Sequence, residues 1–562
     1  MRSSSSTYAE KRMPIDTEQL DAYLDRYESI GALLSSRSHG KPDRPLFHWD
    51  GGIITYGEMH HSARRVAGAL TELGLVKGDR VAIMMTPSPD WLAVWFGAAL
   101  IGVIIVPINT AHLGDGLAYL LRDSQPSALV VDDDLIDRVE ALGDEVVIDH
   151  VFVRKARPEG LPAATARRPI ADLTQGPDLP IPQVAVERHD CATILYTSGT
   201  TGPPKGCVLP HGQYVAAAFL HAANCGYDEQ SIVYSCLPLF HINAQNYTVM
   251  SAIAAGGAVA MDARFSASRF WRRLAEVGAT AFNFIGSMAV ALWNQPRSPE
   301  EKAHRARVAF GVPVPVEFWP RWEQRFGCTV IYAYGMTENA LSAMFTTAEA
   351  PVPAELRGAA GKASVTTEVA IVDDHDRAVP PGSVGEIVTR PKIAWTMMTE
   401  YWRNPAATAE AFRGCWFHTG DLGYLTGDGY LFYVDRKKDA LRRKGEMISS
   451  WEIETVVGKY PPVAECAVVA VPSELGEDEI MVVVSPREHA QISPAGLIEF
   501  CRGRIPAFQI PRYVRILDEL PRTQTQRVEK YKLRSQGVTT DTWDRLAVCP
   551  DADAAIPGSS AS

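Results

Sequence analysis

From Ser62 to Val131 the chain switches repeatedly between a helical and a strand-like period. Ser62 to Leu73 places Ala63, Val66, Ala67 and Leu70 on one stripe, the pattern of an amphipathic helix. Asp79 to Met85 and Ala128 to Val131 read as strands. Between them, Trp91 to Val106 carries no charge, is interrupted by Gly102 and is followed by Pro107. That run falls short of the roughly twenty residues a membrane span needs. It predicts a helix to about Leu100 or Ile101 and then a buried strand, Val103 to Val106. Such alternation restricts the chain to layered α/β architecture, mostly parallel sheets covered by helices. At 562 residues it also exceeds one core, and two to four domains are expected.

The pattern changes near Val384. Val384 to Val388 is a short strand, and Tyr424-Leu425 and Tyr430 to Val434 flank the hairpin signal Thr426-Gly427-Asp428-Gly429. Five charges follow, Asp435 to Asp439, and mark a domain boundary. Beyond it lie a helix start at Ser449 to Glu454, strands at Glu465 to Val471 and Glu479 to Val484, and a helix from Pro494 to Arg502. The expected organisation is a disordered leader (1–15), a large N-terminal domain (16–436), a small α+β domain (437–535) and a polar tail (536–562). Pro158 to Pro182, rich in Pro, Ala and Arg, reads as a surface connection.

The net charge of −11 argues against a nucleic-acid partner, which would demand a basic face. Nine cysteines are scattered with no Cys-x-x-Cys pair, which suits a reduced cytoplasm and offers no zinc site. The first residues carry no apolar stretch behind their charges, so no secretory signal is read there.

The chemistry concentrates in Tyr196-Thr197-Ser198-Gly199-Thr200-Thr201-Gly202-Pro203-Pro204-Lys205-Gly206, which follows the strand-like Ala192 to Leu195. Glycines let backbone approach an anion, free N–H groups form a nest for phosphate oxygens, and hydroxyls and Lys205 add donors and charge. The Walker spacing is absent. The segment resembles the phosphate loop of the adenylate-forming superfamily, which includes acyl-CoA synthetases, luciferases and adenylation domains. Further segments recur in that family's order. Tyr334-Gly335-Met336-Thr337-Glu338 resembles its second nucleotide motif. There the resemblance implies Tyr334 stacking on adenine, Thr337 at the α-phosphate and Glu338 holding Mg²⁺, a hard cation that wants carboxylate oxygen. Thr419-Gly420-Asp421 resembles the motif whose aspartate binds both ribose hydroxyls, and Arg436 the arginine near ribose and phosphates. Lys438 falls where relatives place the hinge of a swinging small domain. Lys444 to Ser449 resembles the loop lining the pantetheine tunnel, with Gly445 leaving room for the thiol. The Gly-Glu-x-Ile-Ser-Ser-x-Glu variant is most similar to the crotonobetaine/carnitine-CoA ligase-like branch.

One segment departs from the family. Its C-terminal Gly-Lys pair is replaced by Gln526-Arg527, and arginine is a bulkier, planar cation. Either Arg527 serves in adenylation, or Lys530 replaces it, or the step is altered. His241, ending Leu237-Pro238-Leu239-Phe240-His241, corresponds to a position near the acyl group and is read as a gate. Asn243, Gln245, Asn283, Ser287, Asn339 and Ser342 flank the expected acid pocket and fit a small polar or aromatic acid better than a fatty acid. The resemblance therefore implies ATP-dependent activation of a small carboxylic acid through an acyl-adenylate, with Mg²⁺, then transfer to a thiol such as CoA. A carrier protein or an amine as acceptor, nitrite as the activated group, or a non-catalytic nucleotide-binding role are the alternatives.

Overall fold

The computed structural model describes residues 15–154, 167–197, 203–312, 319–437, 441–443, 446–448, 450–472, 478–502, 504–506, 509–522 and 528–548. The uncharged run folds as expected. Ser88 caps the helix Pro89–Leu100, its hydroxyl accepting from Trp91 N, and Pro89 supplies a first-turn φ. The strand Ile104–Pro107 follows and is wholly buried. The helix is apolar on every side because it lies inside the molecule. It packs against the helix Tyr56–Glu72, where Gly97 is required: a Cβ there would come within 2.6 Å of Val66 Cβ. Among the described residues no helix is long and apolar enough to cross a membrane.

Two sheets are mostly parallel. One orders Glu400–Tyr401, Lys205–Pro210, Cys191–Thr197, Ile104–Pro107, Arg80–Met84, Ala128–Asp132, His150–Arg154 and Arg167–Pro169. The other runs Thr329–Ile331, Val308–Val312, Ala281–Ile285, Ile232–Ser235, Ala258–Met261, Pro45–Trp49 and Gly52–Thr55. Interior helices join these two units. The helix His211–Asn224 is buried at every residue but Ala223, and its Tyr214 ring meets Trp95 edge-on at 5.8 Å. A third sheet was not anticipated as such. It is antiparallel throughout, ordering Ala333–Tyr334, Ala343–Met344, Ala359–Ala363, Tyr430–Arg436, Phe417–Leu425, Gly385–Pro391 and Thr367–Val372.

After Arg436 the strands pair among themselves: Leu441–Arg443 with Glu446–Ile448, and Val463–Pro472, Asp478–Pro486, Tyr513–Ile516 and Trp543–Asp544 in a four-stranded sheet. One expectation needs correction. Residues 536–562 are not all polar tail, because Trp543–Asp544 pairs with Tyr513–Ile516 and Asp544 takes a forked pair of bonds from Arg512 at 3.1 and 3.0 Å. The few apolar residues there gave no periodicity, but one tryptophan suffices to dock a two-residue strand. Within 158–182, Arg167–Pro169 adds an edge strand and Ala171–Thr174 a helical turn with buried Leu173, so that stretch is partly structured.

Candidate active site

The phosphate-loop segment spans a hairpin. Cys191–Thr197 and Lys205–Pro210 are antiparallel, and their last pair sets Thr197 opposite Lys205. Thr197 Oγ1 donates to Lys205 O at 3.4 Å. Gly206 is needed for close packing, since a Cβ would meet Ile194 Cγ2 at 2.8 Å. Ser198, Gly199, Thr200, Thr201 and Gly202 lie outside the described residues. The two-residue strand Glu400–Tyr401 continues this sheet, pairing Tyr401 with Cys207. The Lys205 ammonium sits 4.9 Å from the centre of the Tyr401 ring.

The second motif begins on the strand Ala333–Tyr334 and turns sharply at Gly335, where a Cβ would lie 2.3 Å from Ala340 O. Two backbone acceptors fix the turn: Thr337 O takes Gln213 Nε2 at 3.0 Å and Glu338 O takes Met398 N at 2.9 Å. The Glu338 carboxylate accepts from the Tyr401 hydroxyl, 3.0 Å to Oε1. Lys205 and Glu338, which come from distant parts of the chain, therefore converge on one phenol.

Asp421 and Arg436 face each other across the hairpin strands Phe417–Leu425 and Tyr430–Arg436. Asp421 is 2% exposed, and its Oδ2 accepts from the Tyr334 hydroxyl at 2.7 Å. Arg436 Nε lies 2.9 Å from Oδ1 but at an angle that makes no hydrogen bond, so Oδ1 keeps its acceptor capacity. Burial pushes the Asp421 carboxyl up, opposed by the Arg436 charge and the Tyr334 hydroxyl. The Tyr334 ring is itself buried and stacked near Tyr433, centroids 6.3 Å apart. Its hydroxyl contact with Asp421 was not anticipated from sequence.

His241 is exposed, its ring edge-on to Phe240 at 4.7 Å. It precedes a π-helix, Asn243–Met250, a rare geometry that recurs at functional sites. Of the polar residues assigned to the pocket, Gln245 is committed to structure: Tyr214 donates to its Oε1 and its Nε2 donates to Leu239 O. Asn283 Nδ2 donates to Thr248 Oγ1 at 2.9 Å and to Asn243 Oδ1 at 3.4 Å. Asn283 Oδ1, Ser342 Oγ and both amide atoms of Asn246 are buried without a hydrogen-bond partner among the described residues. Asn339 Nδ2 donates at long range, 3.5 and 3.4 Å, to the Thr367 and Thr389 hydroxyls. Asn246 was not singled out in the sequence because nothing there signals a π-helix.

Lys530 opens the helix Lys530–Gln536, and its ammonium is 2.8 Å from Glu454 Oε1 and donates to Ser450 Oγ at 2.6 Å. Ser450 N and Oγ both donate to Asp435 Oδ2 at 2.7 Å. Lys438, Gly445 and Arg527 lie outside the described residues. No cluster of three or more His, Cys, Asp or Glu able to hold a metal occurs among the described residues. A single carboxylate such as Glu338 suits Mg²⁺, which keeps waters and substrate phosphates as its other ligands.

Two mostly parallel sheets and an antiparallel sheet form a large N-terminal domain, followed by a small α+β C-terminal domain, the architecture of adenylate-forming enzymes. The chain belongs to the AMP-binding enzyme family: that family's model matches residues 34–402, and the model of the AMP-binding enzyme C-terminal domain matches 452–527. It is an adenylating enzyme of the acyl-CoA ligase type. Crotonobetaine/carnitine–CoA ligase of Salmonella paratyphi A is 30% identical over 504 residues, covering 88% of this chain and 96% of its own. The namesake from Escherichia coli O8 is 30% identical over 492 residues, covering 86% and 94%. Among solved structures, ATP-bound MatB from Rhodopseudomonas palustris is 26% identical at a TM-score of 0.77, covering 90% of this chain and 98% of that one. The anthranilate CoA ligase AuaEII, in complex with anthranoyl-AMP, shares the fold at a TM-score of 0.80 and 23% identity, covering 91% and 97%.

Proposed function

We propose that this enzyme activates a small polar carboxylic acid with MgATP, releasing pyrophosphate to form an acyl-adenylate, and then transfers the acyl group to CoA. The observation that carries the reading is the convergence of Lys205 and Glu338 on one phenol, together with the buried Asp421. Lys205 and Glu338 meet at Tyr401, while Asp421 Oδ1 is ion-paired with Arg436 at 2.9 Å but accepts no hydrogen bond among the described residues. A carboxylate oxygen with acceptor capacity left matches a ribose hydroxyl, and a carboxylate beside a phosphate-loop lysine matches a magnesium triphosphate. Mg²⁺ held by Glu338 would neutralise charge developing on the phosphates. Thr197 and Ser198 to Gly202 bind the phosphates, Thr337 the α-phosphate, Tyr334 and Asp421 the nucleoside, and Arg436 the ribose and phosphate edge.

The acid class is supported by Asn246, both of whose amide atoms are buried without a partner among the described residues, and by Asn283, whose Oδ1 is likewise unpaired. Each such atom costs about 1–3 kcal/mol unless something pairs with it. A hydrocarbon chain would leave all of them unpaired, whereas a small acid with its own donors and acceptors pairs them. The relatives named for crotonobetaine, carnitine and anthranilate are of that class. His241 gates the acyl path. The domain boundary falls at Arg436, with Lys438 as hinge and Gly445 lining the approach of the thiol. Lys530 is already engaged by Glu454 and Ser450, which supports Arg527 as the adenylation charge.

The test is a panel of small polar, aromatic and aliphatic acids, with nitrite included, incubated with MgATP and scored for pyrophosphate, acyl-adenylate, AMP and thioester with and without CoA. Acid-dependent pyrophosphate and acyl-adenylate are expected without CoA, and AMP with an equal amount of thioester when CoA is added. Pyrophosphate and acyl-adenylate with no thioester in the presence of CoA would move the acceptor to a carrier protein or an amine.

A further inference from the structure

Tyr401 has no place in the motif correspondences, yet it touches both charged groups on which the proposed activation depends. It sits on a strand of only two residues, Glu400–Tyr401, and is 7% exposed. Its backbone is fixed three ways. It pairs with Cys207, its N–H donates to Thr408 Oγ1 at 3.0 Å, and Trp402 N beside it donates to Gly206 O at 2.7 Å. From that anchored backbone the ring lies under the Lys205 ammonium at 4.9 Å, and the hydroxyl donates to Glu338 Oε1 at 3.0 Å.

We infer that Tyr401 is a positioning residue that holds Lys205 and Glu338 apart and aimed, so that each is available to MgATP. The inference rests on Glu338 as the magnesium ligand. A lysine and a glutamate gathered at one side chain would otherwise pair with each other. No ion pair joins Lys205 to Glu338 among the described residues, and both touch the phenol. The hydroxyl occupies one carboxylate oxygen and limits the rotation of Glu338, which leaves the other oxygen for a hard cation. The ring gives the lysine a face to rest on that does not neutralise it. The two halves of the side chain thus do separable things, and substitution can separate them.

Tyr401→Phe keeps the ring and removes the hydroxyl, whereas Tyr401→Leu removes both. The readout is equilibrium binding of a non-hydrolysable ATP analogue by calorimetry, titrated over Mg²⁺ and repeated in excess EDTA. Initial-rate pyrophosphate exchange follows the same variants, and thermal melting confirms their folding. Tyr401→Phe should raise the Mg²⁺ concentration for half-maximal binding about tenfold, as expected for losing a hydrogen bond to a charged group, with metal-free affinity unchanged. Tyr401→Leu should show the same Mg²⁺ shift and also weaken metal-free binding several-fold, because Lys205 loses its platform. Glu338→Gln serves as the reference. If it raises the Mg²⁺ requirement and Tyr401→Phe does not, the positioning inference is overturned while the site reading stands. If neither changes it, Glu338 is not the magnesium ligand and both are overturned.

Discussion

At Asp421 a carboxyl group is buried to 2% exposure, and Tyr334 and Arg436 beside it satisfy only one oxygen by a hydrogen bond. A structural carboxylate in that position would be expected to use both. Asp421→Asn keeps the shape and removes the charge that accepts from a diol. It should weaken AMP and ATP binding about ten- to a hundredfold in equilibrium titration, with melting temperature changed little. Unchanged nucleotide affinity would remove the ribose assignment. Residues of this kind were legible because their chemistry is local to a short motif: Lys205 in its glycine- and hydroxyl-rich loop, Glu338 in its pentapeptide, Asp421 after Thr419-Gly420. Tyr401 was not, because it bonds Glu338 across 63 positions and rests against Lys205 from another element. Nor was the engagement of Lys530 with Glu454, which a charge count along the chain cannot pair.

Elements with a strong period could be read with little error. The amphipathic stripe at Ala63, Val66, Ala67 and Leu70 is buried on the helix Tyr56–Glu72. The hairpin around Thr426–Gly429 joins Phe417–Leu425 to Tyr430–Arg436. Elements set by tertiary contact could not be read. The π-helix Asn243–Met250 has no periodic signature, and its polar face is stabilised by partners such as Asn283 and Tyr214 from other elements. The strand Trp543–Asp544 is likewise too short for a pattern. Its contribution is testable. A chain ending at Gly537 loses that strand, the Arg512–Asp544 pair and the buried Arg545. It should lower the stability of the small domain by about 2–3 kcal/mol in urea, from lost burial and charge-assisted bonds. An unaltered transition would return residues 538–562 to the status of a tail.

Across the whole molecule, the interior between the sheets holds neutral imidazoles. His211 and His221 lie on the buried helix His211–Asn224, and burial pushes them down to about 4 and about 3. His221 is packed between Tyr247 and Phe310, at 5.0 and 4.3 Å, with no acid beside it to hold a proton. The unfolded chain takes up these protons near the ordinary histidine value of about 6.5, whereas the folded chain does not. Their contribution is therefore complete above that value and falls as pH drops toward the folded values. Each histidine should cost about 2 kcal/mol of stability at about pH 5 relative to neutrality. Urea titrations at the two pH values, compared with His221→Phe, should show a shallower loss in the variant. An equal loss in both proteins would mean that His221 is protonated in the fold.

The layered large domain and the separate small sheet make sense together as one machine that activates an acid and then hands it on. The measurement that bears most directly on this is the nucleotide product. With a small polar acid from the panel, MgATP and CoA, the account predicts AMP, pyrophosphate and thioester in equal amounts, dependent on the acid, and without CoA pyrophosphate with acyl-adenylate only. Acid-dependent release of ADP and phosphate would contradict it.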